Sequence, residues 1–240
     1  MVYPLLLSAK DKNCLFALLV DPDKYTASQA KDIGTRAQRA GVDLILLGGS
    51  LLRNKIDETA IAIKSSCTLP LVLFPGNSLQ FCSTADAILL LSLISGRNAE
   101  FLIGNHVQVA MQIKASQIEV IPTGYMLIDG GISTSVQYMS NTNPIPANKT
   151  DIAVATAVAG EQLGLKTIYL EAGSGAVNPI SFSTIEQVRA NINLPIIIGG
   201  GLRTPSQVRN AKMAGASMVV VGNVIEDDPN LLEQLVGSVK

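Results

Sequence analysis

The chain has 240 residues, a formal net charge of −1, and 48% hydrophobic against 15% charged residues. A charge near zero without a basic stripe excludes binding driven by phosphate neutralisation, so we expect no nucleic-acid partner. No apolar run reaches the roughly 18 residues that a membrane span needs. No basic segment leads into an apolar stretch at the N-terminus, as a secretory signal would require, so we expect a cytoplasmic protein.

Short apolar runs alternate with longer amphipathic stretches along the chain, which is typical of a parallel sheet covered by helices. The predicted strands are Leu15 to Val20, Asp43 to Leu47, Leu71 to Phe74, Ala87 to Leu91, Glu119 to Thr123, Thr167 to Leu170, Pro195 to Ile198 and Ser217 to Val221. The predicted helices are Thr26 to Ala40, Leu52 to Ser65, Ala99 to Ser116, Lys149 to Leu163, Ser183 to Asn191, Pro205 to Ala214 and Pro229 to Val239.

Eight strand–helix units in 240 residues favour an α/β fold of the (β/α)8 TIM-barrel type, a single domain over residues 1–240. The stretch after the third strand is too broken to predict a helix, so the third helix is expected to be missing or broken. An open doubly wound sheet is less favoured because DPDK, not a glycine fingerprint, follows the first strand. The segment from Tyr125 to Asn148 is rich in Ser, Asn, Pro and Gly and predicts a long loop or lid.

In a barrel of this type, the active site lies at the carboxyl ends of the strands. Gly199 to Arg203 and Gly222-Asn223 follow the last two predicted strands, and glycines dominate both tips. Bare backbone N–H groups beside a helix N-terminus favour an anion, so these tips predict a phosphate site with a short helix after Gly222. Alternatively, these glycines only form tight turns. The other predicted tips are Asp21 to Lys24, Gly48 to Ser50, Pro75 to Asn77, Ser92 and Ser95, Pro122 to Tyr125, and Glu171 to Gly175.

Two of these tips carry a carboxylate of the kind that binds metal ions or accepts protons. Asp21 is a hard oxygen ligand, and with Ser50 it forms a candidate Mg²⁺ site completed by water and phosphate oxygens; a helix cap or an ion pair with Lys24 is the alternative. Glu171 is predicted to accept a proton from a hydroxyl or to bind hydroxyls directly. Alternatively, Glu171 only fixes its loop by accepting backbone N–H bonds. For His106, in or near a predicted helix, a structural role is favoured.

Six short segments carry a resemblance to a known family: LLVDPDK, LLGGS, FPGN, IYLEAGSGA, IIIGGG and VVVGN. Together, from Val20 to Asn223, they resemble the geranylgeranylglyceryl phosphate synthase family. YLEAGSGA is the specific part, whereas GGG and GN occur in many phosphate-binding barrels. The resemblance implies a prenyltransferase that uses Mg²⁺ to join a prenyl diphosphate, geranylgeranyl diphosphate in this family, to the C3 hydroxyl of sn-glycerol 1-phosphate.

The resemblance also implies roles for individual residues. Asp21 and Ser50 are implied to bind Mg²⁺. Glu171 is the implied base and Tyr169 the second catalytic residue, with Tyr125 helping to position the substrates. The residues implied to contact glycerol phosphate are Tyr169, Leu170, Glu171, Ala172, Gly173, Ser174, Gly175, Gly200, Gly201, Gly222 and Asn223.

The resemblance bears on assembly and on the prenyl donor as well. The AGSG form of the loop after the sixth strand resembles a branch that is often hexameric, so a homo-oligomer, a hexamer or a dimer, is implied, with Tyr138 as a candidate subunit contact. A related branch has a lysine where this chain has Leu19, so the diphosphate contact is expected elsewhere, with Lys24 as the candidate. The missing third helix leaves room for an apolar tail, and contact with a bilayer is expected to be transient at most.

Two other functions stay open at this level. One is an isomerase or synthase on the same scaffold, acting on a small phosphorylated metabolite with Glu171 as the proton-abstracting base. The other is a non-catalytic barrel that binds a phosphorylated ligand. Activity without Mg²⁺ and without Asp21 favours the first, and phosphate binding without turnover favours the second.

Overall fold

A closed barrel of parallel strands forms the centre of the protein. The computed structural model describes the backbone of residues 1–240 and the side chains of all residues except 11 and 12. The strands are β1 (Leu15–Val20), β2 (Leu44–Leu47), β3 (Leu71–Leu73), β4 (Ala87–Leu93), β5 (Glu119–Leu127), β6 (Thr167–Glu171), β7 (Ile196–Gly199) and β8 (Met218–Val221). They pair in chain order, and β8 closes on β1. The predicted (β/α)8 barrel is therefore confirmed.

Helices surround the barrel and follow most of the strands. The α-helices are α1 (Tyr3–Lys12), α2 (Ala27–Ala40), α3 (Ile56–Lys64), α4 (Asn105–Ser116), α5 (Ser135–Ser140), α6 (Thr150–Gln162), α7 (Phe182–Asn191), α8 (Pro205–Met213), α9 (Asn223–Asp227) and α10 (Leu231–Gly237). Short 3₁₀ turns cover Pro22–Lys24 and Ser78–Gln80, and a π-helical turn, Glu100–Gly104, precedes α4. In the part of the chain whose side chains are described, no helix has the length and apolar character to cross a bilayer.

Both faces of the strands are apolar because one faces the barrel interior and the other faces the helices. In β6, Tyr169 belongs to the interior cluster, whereas Ile168 and Leu170 belong to the layer between strands and helices. Strand side chains alternate with a period of two. Glu171, two residues after Tyr169, therefore continues the interior row at the carboxyl end of the barrel.

The third barrel helix is missing, as predicted. The segment between β3 and β4 forms only the 3₁₀ turn Ser78–Gln80. The buried Gln80 side chain donates from Nε2 to the carbonyl oxygen of Gly49 at 2.7 Å, and its Oε1 accepts from the N–H of Gly76 at 3.0 Å. One amide thus joins the loops that follow β2 and β3. Beside this turn lies a small cavity of about 50 Å³ with mostly apolar walls.

The predicted end of β5 is wrong. The strand continues past Thr123 to Leu127, and Tyr125 pairs with Leu93 and Tyr169 in the neighbouring strands. The prediction treated Gly124 as part of a loop. However, a Cβ at Gly124 would lie 2.8 Å from Cδ1 of Ile168, so the glycine allows close packing rather than a turn. The long loop therefore starts after Leu127 and itself contains α5.

Helix α1 was not predicted, because its exposed Leu5 and Leu7 flank the buried Leu6 and hide the helical period. Pro4 lies in its first turn, where proline is favoured. Val2 and Leu6 pack into the interior cluster. The carboxylate of Glu119, at the start of β5, accepts from the backbone N–H groups of Val2 and Tyr3, the latter at 2.9 Å.

We predict that Glu119→Ala lowers the free energy of unfolding by about 1–3 kcal/mol, because two backbone donors at the start of α1 lose a charged acceptor. Urea denaturation monitored by circular dichroism measures this change. The matched control is Glu186→Ala on the exposed surface of α7, for which a change within about 0.5 kcal/mol is expected. Equal stability of Glu119→Ala and wild type would contradict this role of Glu119.

Candidate active site

A cavity of about 280 Å³ opens at the carboxyl ends of the strands. Loops from both halves of the barrel contribute to its wall, as expected for this fold. The predicted site residues in its wall are Asp21, Ser50, Tyr169, Glu171, Ser174, Gly175, Gly200, Gly201, Gly222 and Asn223. The structure thus brings together residues that are up to 202 positions apart in the chain, from Asp21 to Asn223.

Three predicted contacts are not in this wall. The side chains of Leu170 and Ala172 belong to the outer core layer, so any contact of theirs with a ligand involves backbone atoms. Gly173 lies against Thr134, and a Cβ at Gly173 would be 2.4 Å from Cγ2 of that threonine. Its φ of +97° is in the region that favours glycine. Gly173 therefore shapes the loop after β6.

The Glu171 side chain is the central acidic group of the cavity and is 6% exposed. Its Oε1 accepts from the N–H of Gly173 at 2.6 Å. Burial raises the pKa of the Glu171 carboxyl to about 7, and hydrogen bonds from Gly173, Tyr169 and Tyr125 act in the opposite direction. A carboxyl group with this pKa can accept a proton near neutral pH. Glu171 therefore fixes its loop and also has the properties of a general base.

Three aromatic rings lie below this carboxyl group. Phe74 stacks on Tyr169 with centroids 5.1 Å apart and an interplanar angle of 16°, and Tyr125 lies 5.3 Å from Tyr169. Burial and the neighbouring Glu171 raise the pKa of both tyrosines well above the usual value, so both hydroxyls stay protonated as donors. Phe74 was not a predicted site residue. The sequence placed it as the last residue of the predicted third strand, and this strand-end position was the available signal.

The glycines at the end of β7 and directly after it make room for these side chains. A Cβ at Gly199 would lie 2.1 Å from the Tyr169 hydroxyl oxygen, and one at Gly200 would lie 2.4 Å from Oε1 of Glu171. Gly200 and Gly201 have φ of +78° and +72°. The sequence left two interpretations of these glycines, a phosphate site or a tight turn, and the tight turn is present. The backbone of this turn also lines the cavity, so phosphate binding is compatible with the turn and stays a prediction.

Side chains connect the loops around the predicted phosphate site. The Ser174 hydroxyl and the Asn223 amide bond to each other at 3.0–3.1 Å, joining the loops after β6 and β8. Arg203, predicted at the end of the seventh strand without an assigned role, donates from Nη2 to the carbonyl oxygens of Gly175 at 3.2 Å and Ala176 at 2.8 Å. The predicted short helix after Gly222 is confirmed as α9.

Asp21 and Ser50 also line the cavity, in the loops that follow the neighbouring strands β1 and β2. The Oδ1 atom of Asp21 accepts from the N–H of Asp23 at 2.9 Å, which caps the 3₁₀ turn. Burial raises the Asp21 pKa, since the backbone bond and Lys24 compensate only in part. Among the described residues, no group of three or more His, Cys, Asp or Glu forms a metal site. One carboxylate and one hydroxyl nevertheless fit Mg²⁺, which takes few protein ligands when phosphate and water complete its shell.

Two residues hold the loops around Asp21 and Ser50. Asp23 accepts from the N–H groups of Arg53 and Asn54 at 2.8 and 2.9 Å and so ties the β1 loop to the β2 loop. Asp23 does not cap the following helix, because Thr26 caps α2. Gln80 holds the backbone before Ser50, and no sequence pattern indicated this role. His106 contacts the carbonyl oxygen of Leu91 through Nε2 at 2.8 Å and borders the smaller cavity.

Almost the whole chain matches the model of one protein family. Residues 9–239 match the model described as the PcrB family. The chain belongs to the PcrB family. A geranylgeranylglyceryl phosphate synthase from Spirosoma linguale is 50% identical over 221 residues, which cover 92% of this chain and 89% of that protein. A protein of the same name from Chitinophaga pinensis is 48% identical over 225 residues, which cover 93% of this chain and 89% of that protein. These relatives confirm the resemblance found in the sequence.

A solved structure agrees with this assignment. The crystal structure of (S)-3-O-geranylgeranylglyceryl phosphate synthase from Thermoplasma acidophilum, in complex with its substrate sn-glycerol-1-phosphate, superposes with a TM-score of 0.95. The sequence identity is 31%, and the match covers 100% of this chain and 98% of that one. The PcrB chain therefore has the fold of that enzyme over its whole length.

We predict a specific pH dependence for Glu171→Gln. In wild type the folded carboxyl has a pKa near 7 and the unfolded one near 4.5. Between these values only the native state holds the proton, so rising pH destabilises wild type but not the amide variant. The unfolding free energy of the variant minus that of wild type should therefore increase by about 3 kcal/mol between pH 4.5 and 7.5. Above pH 7.5 this difference should stay constant. Urea titrations at each pH measure this difference. An unchanged difference would contradict the raised pKa, and the exposed Glu186→Gln is the control.

Proposed function

We propose that this PcrB-family chain is a prenyltransferase that joins a prenyl diphosphate, geranylgeranyl diphosphate as the expected donor, to the C3 hydroxyl of sn-glycerol 1-phosphate. The observation that carries the proposal is the buried Glu171, with a pKa of about 7, in the cavity wall next to the glycine-rich loops after β6, β7 and β8. A buried carboxyl group and glycine-rich backbone in one cavity wall match a phosphorylated alcohol. The names of its relatives support the same reaction.

The acceptor substrate fits the side of the cavity formed by the last three loops. Its phosphate would lie against the backbone of Gly200 and Gly201 and beside Asn223 at the start of α9. Its hydroxyl groups would then point toward Glu171, whose carboxyl lies directly below the Gly200 turn. The Thermoplasma acidophilum enzyme, whose structure holds sn-glycerol-1-phosphate, supports this choice of acceptor.

Glu171 accepts the proton of the C3 hydroxyl as its oxygen attacks carbon C1 of the prenyl donor. A C–O ether bond forms, the bond between C1 and the diphosphate oxygen breaks, and the electron pair leaves with the diphosphate. The hydroxyls of Tyr169 and Tyr125 orient the carboxylate before the attack. The aromatic and apolar wall excludes water, which would otherwise compete as the acceptor.

Asp21 and Ser50 would hold Mg²⁺ at the β1 and β2 side of the cavity. When bound, Mg²⁺ supplies positive charge for the diphosphate that develops as the leaving group. The half-buried Asp21 carboxylate, close to the Gly49 backbone, supports this part of the proposal: a Cβ at Gly49 would lie 3.6 Å from Oδ1 of Asp21.

The prenyl tail has an apolar route away from the reacting atoms. The main cavity and the smaller cavity beside the Ser78–Gln80 turn share Gly76, Leu91 and Phe101 in their walls. The space left by the missing third helix therefore borders the site that contains Asp21. This adjacency supports the earlier expectation of an apolar groove at that position.

We predict that the purified protein transfers label from radiolabelled sn-glycerol 1-phosphate into an organic phase when geranylgeranyl diphosphate and Mg²⁺ are present. EDTA should abolish transfer, and sn-glycerol 3-phosphate should be a poor acceptor. Glu171→Gln should lower the single-turnover rate about 10²- to 10⁴-fold, as loss of a general base does. Folded protein that binds glycerol phosphate but transfers no label with any prenyl donor would contradict the proposal. Transfer that persists in EDTA would contradict the metal site alone.

We also propose that the chain forms a homo-oligomer. The Tyr138 ring on α5 is 86% exposed, and large exposed aromatic side chains are enriched at subunit contacts. Tyr138→Ala should therefore lower the molar mass measured by light scattering after size exclusion. Asn141→Ala, at the end of the same helix, is the control for a local change in the loop. An unchanged mass for Tyr138→Ala would assign that ring no role in assembly.

A further inference from the structure

The charges of the main cavity are unevenly distributed for a site that receives two phosphorylated substrates. Three carboxyl groups line its wall, from Asp21, Glu171 and Glu226. Among the described residues of the same wall, the cationic side chains are Lys24 and Arg203. A prenyl diphosphate carries several negative charges, so its binding depends on which of these cations is available to it.

Arg203 is already committed to the loop after β6. Its Nη2 atom donates to the carbonyl oxygens of Gly175 and Ala176 at 3.2 and 2.8 Å. These bonds hold the loop that carries Ser174 on the acceptor side of the cavity. Moving the guanidinium toward a diphosphate would leave both carbonyl groups without this donor, so Arg203 acts as a fixed support.

Lys24 is held much more loosely. Its ammonium group is 3.6 Å from Oε2 of Glu226, beyond the range of a normal hydrogen bond, and its side chain is 57% exposed. Ion pairs with this exposure stabilise proteins little, because water competes for both groups. The Lys24 ammonium can therefore exchange partners at small cost when a stronger anion enters the cavity.

The position of Lys24 places it on the donor side. Its backbone N–H donates to the carbonyl oxygen of Asp21 at 3.0 Å, so the lysine belongs to the same turn as the proposed metal ligand. Glu226 lies on α9, the helix that begins at Asn223 directly after Gly222. The Lys24–Glu226 pair thus spans from the donor side to the acceptor side of the cavity.

We propose that Lys24 binds the diphosphate of the prenyl donor, and that Glu226 is its resting counter-ion, which the diphosphate displaces. This inference rests on the proposed function and deepens it by assigning the second substrate a protein contact besides the metal site. Glu226 is a positioning residue here, because it acts through Lys24 and does not touch the diphosphate.

Inorganic pyrophosphate with Mg²⁺ is the probe that tests this assignment, because it contains the leaving group without the tail or the reaction. Isothermal titration calorimetry measures its affinity for wild type, Lys24→Met, Lys24→Arg, Glu226→Gln and the double variant Lys24→Met/Glu226→Gln. Lys31→Met, an exposed lysine on α2, is the matched control. Thermal unfolding of each variant, and binding of sn-glycerol 1-phosphate, report on the integrity of the fold and of the acceptor side.

We expect Lys24→Met to weaken pyrophosphate binding about tenfold, the loss of one charged hydrogen bond, and Lys24→Arg to retain most of the affinity. Glu226→Gln should tighten binding about two- to threefold, because the competing carboxylate is gone, and most of this gain should vanish in the double variant. Equal pyrophosphate affinity of Lys24→Met and wild type would overturn the contact. If Glu226→Gln raised the pyrophosphate affinity equally in wild type and in Lys24→Met, Glu226 would not be the counter-ion that the diphosphate displaces from Lys24. Absence of prenyl transfer by wild type, by contrast, would reject the proposed function independently of these titrations.

Discussion

A glutamate carboxyl group buried at the end of β6 sets conditions that the surrounding loops must meet. Burying a carboxylate is costly unless hydrogen bonds compensate, and Glu171 has the N–H of Gly173 and two tyrosine hydroxyls around it. Gly200 must lack a side chain because a Cβ there would reach the Glu171 carboxyl. The compensation is partial, and the resulting pKa of about 7 is what suits the group to accept a proton.

The loops around this carboxyl group are connected in two sets. Asp23 and Gln80 join the loops after β1, β2 and β3, where the proposed metal and diphosphate contacts lie. Ser174–Asn223 and Arg203 hold the loops after β6, β7 and β8, where the acceptor would bind. Each set holds one substrate in the proposed reaction, and Glu171 lies where the hydroxyl of one must meet the carbon of the other. Alignment of two bound reactants is a large part of catalysis in such a transfer.

Much of this arrangement was predictable from the sequence, because the signals are local. Apolar runs of strand length gave the barrel, and polar residues directly after those runs gave Asp21, Ser50 and Glu171. The misses have non-local causes. Position 124 requires a glycine because the side chains of Ile168, Ile94 and Leu165 approach it closely. The sequence pattern around this glycine instead indicated a loop. Gln80 becomes important only through its bond to the loop after β2, and Phe74 only through the tyrosine rings of β5 and β6. For Leu170, strand alternation turns the side chain to the outer layer, so its predicted contact with glycerol phosphate stays a prediction for the backbone alone.

The most direct test of the central claim is a ¹³C NMR titration of the glutamate side-chain carboxyl carbons in wild type and Glu171→Gln, without substrates. One resonance of wild type should titrate with a midpoint near pH 7 and should be absent from the spectrum of the variant, as the burial of Glu171 requires. If the resonance that disappears in Glu171→Gln titrates near 4.5 like an ordinary glutamate, Glu171 is not the tuned base of this site, and the account given for its loops is wrong.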